Sequence, residues 1–325
     1  MWTFLPIYKH PVWSGNRIPS FKNGPIEIPD NAPIGESWEV SDVPDNVSVV
    51  ADGPDKGISL DMLIARYGEK LLGKGVMRRY GSRFPLLIKI IDAGRDLSIQ
   101  VHPDDSMAQT MGHPFGKNEM WMVLEANQGA RLASGFNREI DPAELNGLVE
   151  SGKILDVLRY IPVEPGSAFH IPSGRVHAIG AGILIAEIQQ TSDDTFRLYD
   201  YNRPGSDGKP RPLHLPQARK AINYGDVSGF ALEYEKVSQG VSEIIDSDCF
   251  TVNMIAASES LTRDYSALDS FVAVMAIEGC AELEAPSGTL RLEQGNTVLL
   301  PATDHSLQIT PCEKSSFRAL EVYIR

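Results

Sequence analysis

Short apolar runs broken by Gly, Pro, Asn and Asp recur along the chain, and their length and punctuation predict strands rather than long helices. The clearest cover residues 86–92, 97–102, 119–126, 183–190 and 271–277. Within 97–102 a strand's alternation places Ser98, Gln100 and His102 on one face and Leu97, Ile99 and Val101 on the other. Two stretches change period. Residues 59–72 carry Leu60, Leu63, Ile64, Tyr67 and Leu71 at helical spacing, an amphipathic face. Asp141-Pro142-Ala143-Glu144 reads as a capping box with Pro at the first helical position, opening a helix to about Val149. The fold class expected is mostly β with a few short helices.

Two segments carry metal-type spacing. Gly166 to His177 fits G-x5-P-x-G-x2-H at every fixed position, and Gly94 to His102 fits the companion G-x5-H-x-H with Gln100 in place of the first His. Between them stands Glu119. Gln, His, Glu and His are donors that a borderline divalent cation accepts. This is the cupin pattern, so the expected architecture is two cupin-type jelly-roll barrels. Gly295 to Pro301 repeats G-x5-P, but no ligand pair precedes it and His305 falls one residue early. The metal site is therefore expected in the first barrel only. A Pro-, Gly- and basic-rich stretch over 203–220 and the break at Tyr224-Gly225-Asp226 suggest two domains, 1–230 and 231–325.

Composition narrows the partners. A formal net charge of -13 opposes nucleic acid and anionic lipid, while leaving room for a small anion held by a few local cations. No run approaches the apolar length of a membrane span, and the N-terminal residues lack a signal-type apolar stretch. Three cysteines without metal-type spacing fit reduced thiols, so a cytoplasmic protein is expected, as a monomer or weak homo-oligomer.

Two further positions invite chemistry. Glu187 lies inside an apolar run, where an unpaired carboxylate is costly to bury, so it requires a cation or a metal as partner. Arg197 follows on the next polar-apolar stretch, and an ion pair between the two is one reading of them. His10, His113, His170 and His214 are expected to be structural or solvent-facing. Phosphate-cradling Gly motifs of the P-loop and dinucleotide types are absent.

At G-E-S-W-E-V-S (35–41), F-P-L-L-I-K (84–89), L-S-I-Q-V-H-P-D-D (97–105), G-K-N-E-M-W (116–121), P-S-G-R-V-H-A-I (172–179) and the S-D-D-T-F-R segment within 189–203, the chain resembles the type I mannose-6-phosphate isomerases in their short bacterial form. The resemblance covers most of residues 1–220 and thins beyond. It implies one zinc ion per chain on Gln100, His102, Glu119 and His177. It implies catalytic roles for Arg197, Glu187 and Lys117, and contacts from Ser98 and Lys89 to a sugar phosphate. The implied reaction interconverts mannose 6-phosphate and fructose 6-phosphate through an enediol. A non-catalytic sugar-binding cupin and an iron-dependent oxygenase are the rival readings. Long members of the family carry a large helical insertion that this chain lacks.

Overall fold

The structure, a computed structural model, describes residues 1–23, 32–205, 208–227, 231–312 and 316–325. The boundary expected near residue 230 lies outside the described residues. Strands dominate, and every strand pairing among the described residues is antiparallel. The expected runs become strands at Leu86–Ala93, Ile99–Val101, Glu119–Ala126, Ile183–Gln190 and Val272–Glu278.

The sheets stack in layers, and alternation within each strand decides what every face touches. A five-stranded sheet runs in the order Leu158–Pro162, Arg131–Phe136, His177–Ala178, Ile99–Val101, Phe196–Tyr199. It faces a seven-stranded sheet whose central strands are Glu119–Ala126, Ile183–Gln190 and Leu86–Ala93. Between them lies an apolar cluster including Trp121, Leu132, Ile171 and Ile185. The outer face of the five-stranded sheet (Ile99, Val101, Val176, Ala178, Phe196, Leu198) is covered by Leu145, Val149 and Ala218 from two short helices. The polar residues alternating with these, Gln100, His177 and Arg197, must therefore point inward.

Behind the seven-stranded sheet sits the largest core, where Leu86, Ile88 and Ile90 meet Met254, Met275 and Leu320 of a second seven-stranded sheet. The Leu86–Ala93 strand is consequently buried along its whole length, as expected for a strand covered on both faces. That second sheet packs against a four-stranded one around Val272, Leu283 and Ile309. Pairing crosses residue 230 both ways. Trp2–Leu5 bonds to Thr297–Leu300, and Ala231–Leu232 bonds to Ala168–Ile171.

The helix expected over 59–72 is broken. Leu60–Tyr67, Glu69–Leu72 and Lys74–Tyr80 are separate pieces, interrupted at Gly68 (φ 50°) and Gly73 (φ 90°). At Gly73 a Cβ would lie 2.2 Å from the Asp269 carbonyl oxygen, so the chain turns where the distal half of the protein presses on it. The apolar face itself is as expected, with Leu60, Leu63, Ile64 and Leu71 buried. Near residue 142 the cap forms: the Asp141 N–H donates to Glu144 Oε1 at 3.1 Å and the Ala143 N–H to Asp141 Oδ1 at 2.8 Å. The α-helix proper runs Leu145–Glu150. No helix among the described residues is long and apolar enough to cross a membrane.

Candidate metal centre

Two rows of side chains face each other across the first pair of sheets. In the five-stranded sheet Arg197, Gln100 and His177 are successive cross-strand neighbours. In the seven-stranded sheet the row is Trp38, Lys89, Glu187, Trp121, Phe169. Glu119 and His102 close the gap at one end. Ligand atoms of His102, Glu119 and His177 all lie within 4.8 Å of one another, and all three residues are buried.

The outer contacts orient these donors. His102 Nδ1 is 2.7 Å from the Asp194 carbonyl oxygen and His177 Nδ1 is 2.9 Å from that of Arg175. A carbonyl only accepts, so Nδ1 carries the proton in both rings and each Nε2 presents its lone pair inward, the arrangement a metal-binding imidazole uses. His102 Nε2 lies 3.2 Å from Glu119 Oε1, and His177 Nε2 3.7 Å from Glu119 Oε2. His102 Nε2 and Glu119 Oε2 are buried without any hydrogen-bond partner. Two orphaned acceptors aimed at one point are costly unless a cation occupies that point, so the residues fit a bound divalent ion. Burial, with the charge of Lys117, keeps His102 neutral, and burial with His102 pushes His177 down to about 3. Both imidazoles are thus neutral, as ligation requires. Burial opposes the Glu119 charge, yet His102 and Lys117 hold the carboxyl well below its usual range. Lys117 Nζ is 3.2 Å from Glu119 Oε1.

Gln100 stands beside this trio. Its Nε2 is 3.2 Å from His177 Nε2, and Ser98 Oγ donates to its Oε1 at 3.4 Å. Turning the amide would present Oε1 to the same point.

Glu187 finds its cation in Lys89, directly opposite on the neighbouring strand, with Nζ to Oε2 at 2.6 Å and side chains 5% and 3% exposed. Trp121 Nε1 donates to Oε1 at 2.7 Å. An ion pair between Glu187 and Arg197 is therefore not what the structure contains. Lys89 also touches Glu36 Oε2 at 3.4 Å, and that oxygen accepts from Trp38 Nε1 at 2.7 Å. Burial and then the Glu119 charge push Glu187 up to about 7, whereas Glu36, though buried, is held down by Lys89 and Trp38. Of the two carboxyls flanking the lysine, Glu187 is the one poised to exchange a proton near neutrality. The ammonium of Lys89 is occupied by both, which argues against a direct contact with phosphate.

Arg197 is half-buried. Its Nη1 donates to the Pro212 carbonyl at 2.9 Å, its backbone N–H donates to His214 Nδ1 at 3.1 Å, and its Nε is buried without a partner. A cavity of about 310 Å³ opens between the rows, lined by Lys89, Ser98, Gln100, Lys117, Glu119, Glu187 and Arg197, with Arg211 at its wall. His102 and His177 stand behind that wall. A larger cavity, about 590 Å³, lies near Arg263 and Arg325, but those guanidiniums already hold Glu321, Glu243 and Asp246. It brings no metal-type donors together, so the smaller cavity is the functional candidate.

Sequence reasoning passed over Glu36, Trp121 and Arg211. Glu36 and Trp121 sit within quoted motif text, G-E-S-W and N-E-M-W, but nothing local marks them as partners of Lys89 and Glu187. His113 is exposed and bonds the Asp194 carboxylate at 2.5 Å, while His214 positions the Arg197 backbone.

Comparison with known proteins gives this geometry a family. Residues 8–134 match the model of the phosphomannose isomerase type I catalytic domain. The chain is 36% identical to a mannose-6-phosphate isomerase of Streptococcus mutans over 91% of each chain. It is 34% identical to mannose-6-phosphate isomerase ManA of Bacillus subtilis over 92% of each. The chain belongs to the type I phosphomannose isomerase family. Its fold agrees: the crystal structure of the mannose 6-phosphate isomerase from Bacillus subtilis superposes with a TM-score of 0.88 at 30% identity, covering 100% of this chain and 99% of that one. Membership ties the His102, Glu119 and His177 cluster to a family of enzymes rather than to a redox or purely binding cupin.

Proposed function

We propose that the chain interconverts mannose 6-phosphate and fructose 6-phosphate by moving a proton between C2 and C1 through an enediol. The observation that carries this is the Glu187–Lys89 pair and Glu119 lining one cavity, with the orphaned His102 Nε2 meeting Glu119 behind its wall. We also read the two sheet pairs as two cupin-type jelly rolls, with the site confined to the first.

Bound zinc, held by His102, Glu119 and His177 with the Gln100 amide oxygen as a fourth donor, would supply positive charge beside O1 and O2 of the sugar. The remaining work belongs to the chain. Glu187 takes the proton from C2 and returns it to C1. Lys89 keeps its carboxylate oriented, and Trp121 fixes the other oxygen. Arg197 offers its free Nε–H to the oxyanion or the phosphate, and Arg211 and Ser98 extend the polar wall. Lys117 holds Glu119 and is the second candidate for proton transfer. Three cysteines with no disulfide among them suit a reducing cytoplasm.

A coupled assay on mannose 6-phosphate and on mannose, before and after chelator, tests the assignment. Loss of two charge-assisted contacts should lower kcat/KM for the unphosphorylated sugar by about 10²-fold or more. Chelation should abolish activity, and added zinc should restore it. Equal turnover of both sugars, or full activity in chelator, overturns the reading.

The pH profile follows from Glu187. As a base it must be ionised, so kcat/KM should climb with pH over the region up to about 7. A cation offsetting Glu119 moves this limb down, not up, because the Glu119 charge is one cause of the rise. Glu187→Gln should remove the limb together with most of the activity. A Gln variant keeping the wild-type limb would assign it to another group.

A further inference from the structure

The outer four-stranded sheet holds a feature that the isomerase reaction does not use. Cys280–Ala285 runs antiparallel to Ser306–Pro311 with Ala281 opposite Pro311. One step further the ladder places Cys280 opposite Cys312, whose N–H donates to the Cys280 carbonyl at 2.9 Å. Opposite residues share a face. Ala281, Leu283 and Ala285 are buried while Glu282 and Glu284 are exposed, so the two thiols lie on the solvent side. Both are partly exposed, and their side chains hydrogen-bond to each other.

Hydrogen-bonded antiparallel partners have Cα atoms about 5.5 Å apart, within the roughly 4.4–6.8 Å of a disulfide. Their Cβ atoms, toward the far end of about 4.5–5.5 Å, lie beyond its usual span of roughly 3.5–4.5 Å, so closing the bond draws the two strand ends together. Arg291 Nη2 donates to Cys280 Sγ at 3.5 Å, so a guanidinium stands beside that sulfur. The remaining cysteine, Cys249, is partly buried in the core between the sheets and takes a hydrogen bond from Asn118.

We infer that Cys280 and Cys312 form a reversible modification site, a surface dithiol that reduces small disulfides of the glutathione type and closes into an intramolecular disulfide. The Cys280 thiolate attacks one sulfur of the small disulfide, the external S–S bond breaks, and one small thiolate leaves. Cys312, giving its proton to solvent or to that thiolate, then attacks the Cys280 sulfur and expels the second small thiol. Two protein thiols are oxidised and one external disulfide is reduced to two thiols, so atoms and electrons balance. Burial and the Cys280 contact push the Cys312 thiol up to about 11, which makes Cys312 the second actor. That Cys280 contribution weakens once Cys280 carries the mixed disulfide.

The test uses the intact folded protein, incubated with oxidised glutathione and then capped with a maleimide. Cappable thiols should fall from three to one, with a mass loss of two hydrogens, no retained adduct, and a peptide joining Cys280 to Cys312 that dithiothreitol reopens. Cys312→Ser should accumulate a stable glutathione adduct on Cys280. Cys280→Ser should modify Cys312 at least about tenfold more slowly, since burial still holds the Cys312 thiol up. Isolated adducts on each cysteine of the wild type without an internal link, or Cys249 reacting first, overturns the proposal.

Discussion

His102→Ala or His177→Ala should leave a folded protein that retains almost no divalent metal and almost no isomerase activity. Each change removes one of two inward Nε2 lone pairs and leaves Glu119 facing a gap, its carboxylate still buried. The expected loss exceeds the roughly 10–100-fold typical of deleting an outer partner of a metal ligand, because a donor itself is gone. His305→Ala is the control: His305 is exposed on the distal half, where no second ligand set accompanies it among the described residues. Metal content by mass spectrometry and turnover in the coupled assay should fall together in the two site variants and stay at wild-type level in the control. Full metal occupancy in both His102→Ala and His177→Ala would sink the assignment of the centre.

The inward placing of His102 and His177 was legible in the sequence because its geometry is local. A Pro-x-Gly turn aims His177 from a fixed distance, and alternation along one short strand carries Gln100 and His102 to the same face, so spacing alone encodes direction. The strands that hold them were legible for the same reason. Pairing between distant strands was not. Glu187 announced that it needed a cation, but only the register of Ile183–Gln190 on Leu86–Ala93 reveals Lys89 as that cation. The same holds for Trp121 and Glu36, each supplied by a different strand. The turn at Gly73, which ends the helical run over 59–72, is packed against Asp269, nearly two hundred positions away, and the docking of Trp2–Leu5 on Thr297–Leu300 is likewise long-range. Local periodicity specifies faces; it does not specify which faces meet.

Arg197→Ala should lower kcat by about 10²-fold or more, the scale of removing one preorganised donor, while metal content and thermal stability barely change. Structural accounts of Arg197 have little to stand on. It makes no ion pair among the described residues; Asp200, three residues on, is held by Arg203 and Arg211. Its one side-chain hydrogen bond goes to the Pro212 carbonyl, worth about 1 kcal/mol in net stability. Burial, and after it the charge of Arg211, push its pKa down, the mark of a cation held where positive charge is already unfavourable. Such a group gains most when an anion arrives, which is what phosphate or a developing enediolate supplies. Arg197→Lys should recover little, since an ammonium cannot offer the planar pair of donors and its shorter reach leaves the Pro212 carbonyl behind. Measuring kcat and the melting temperature on the same Ala variant separates the accounts: a large drop in melting temperature with near-normal kcat would make Arg197 a structural residue, and the oxyanion role would fall.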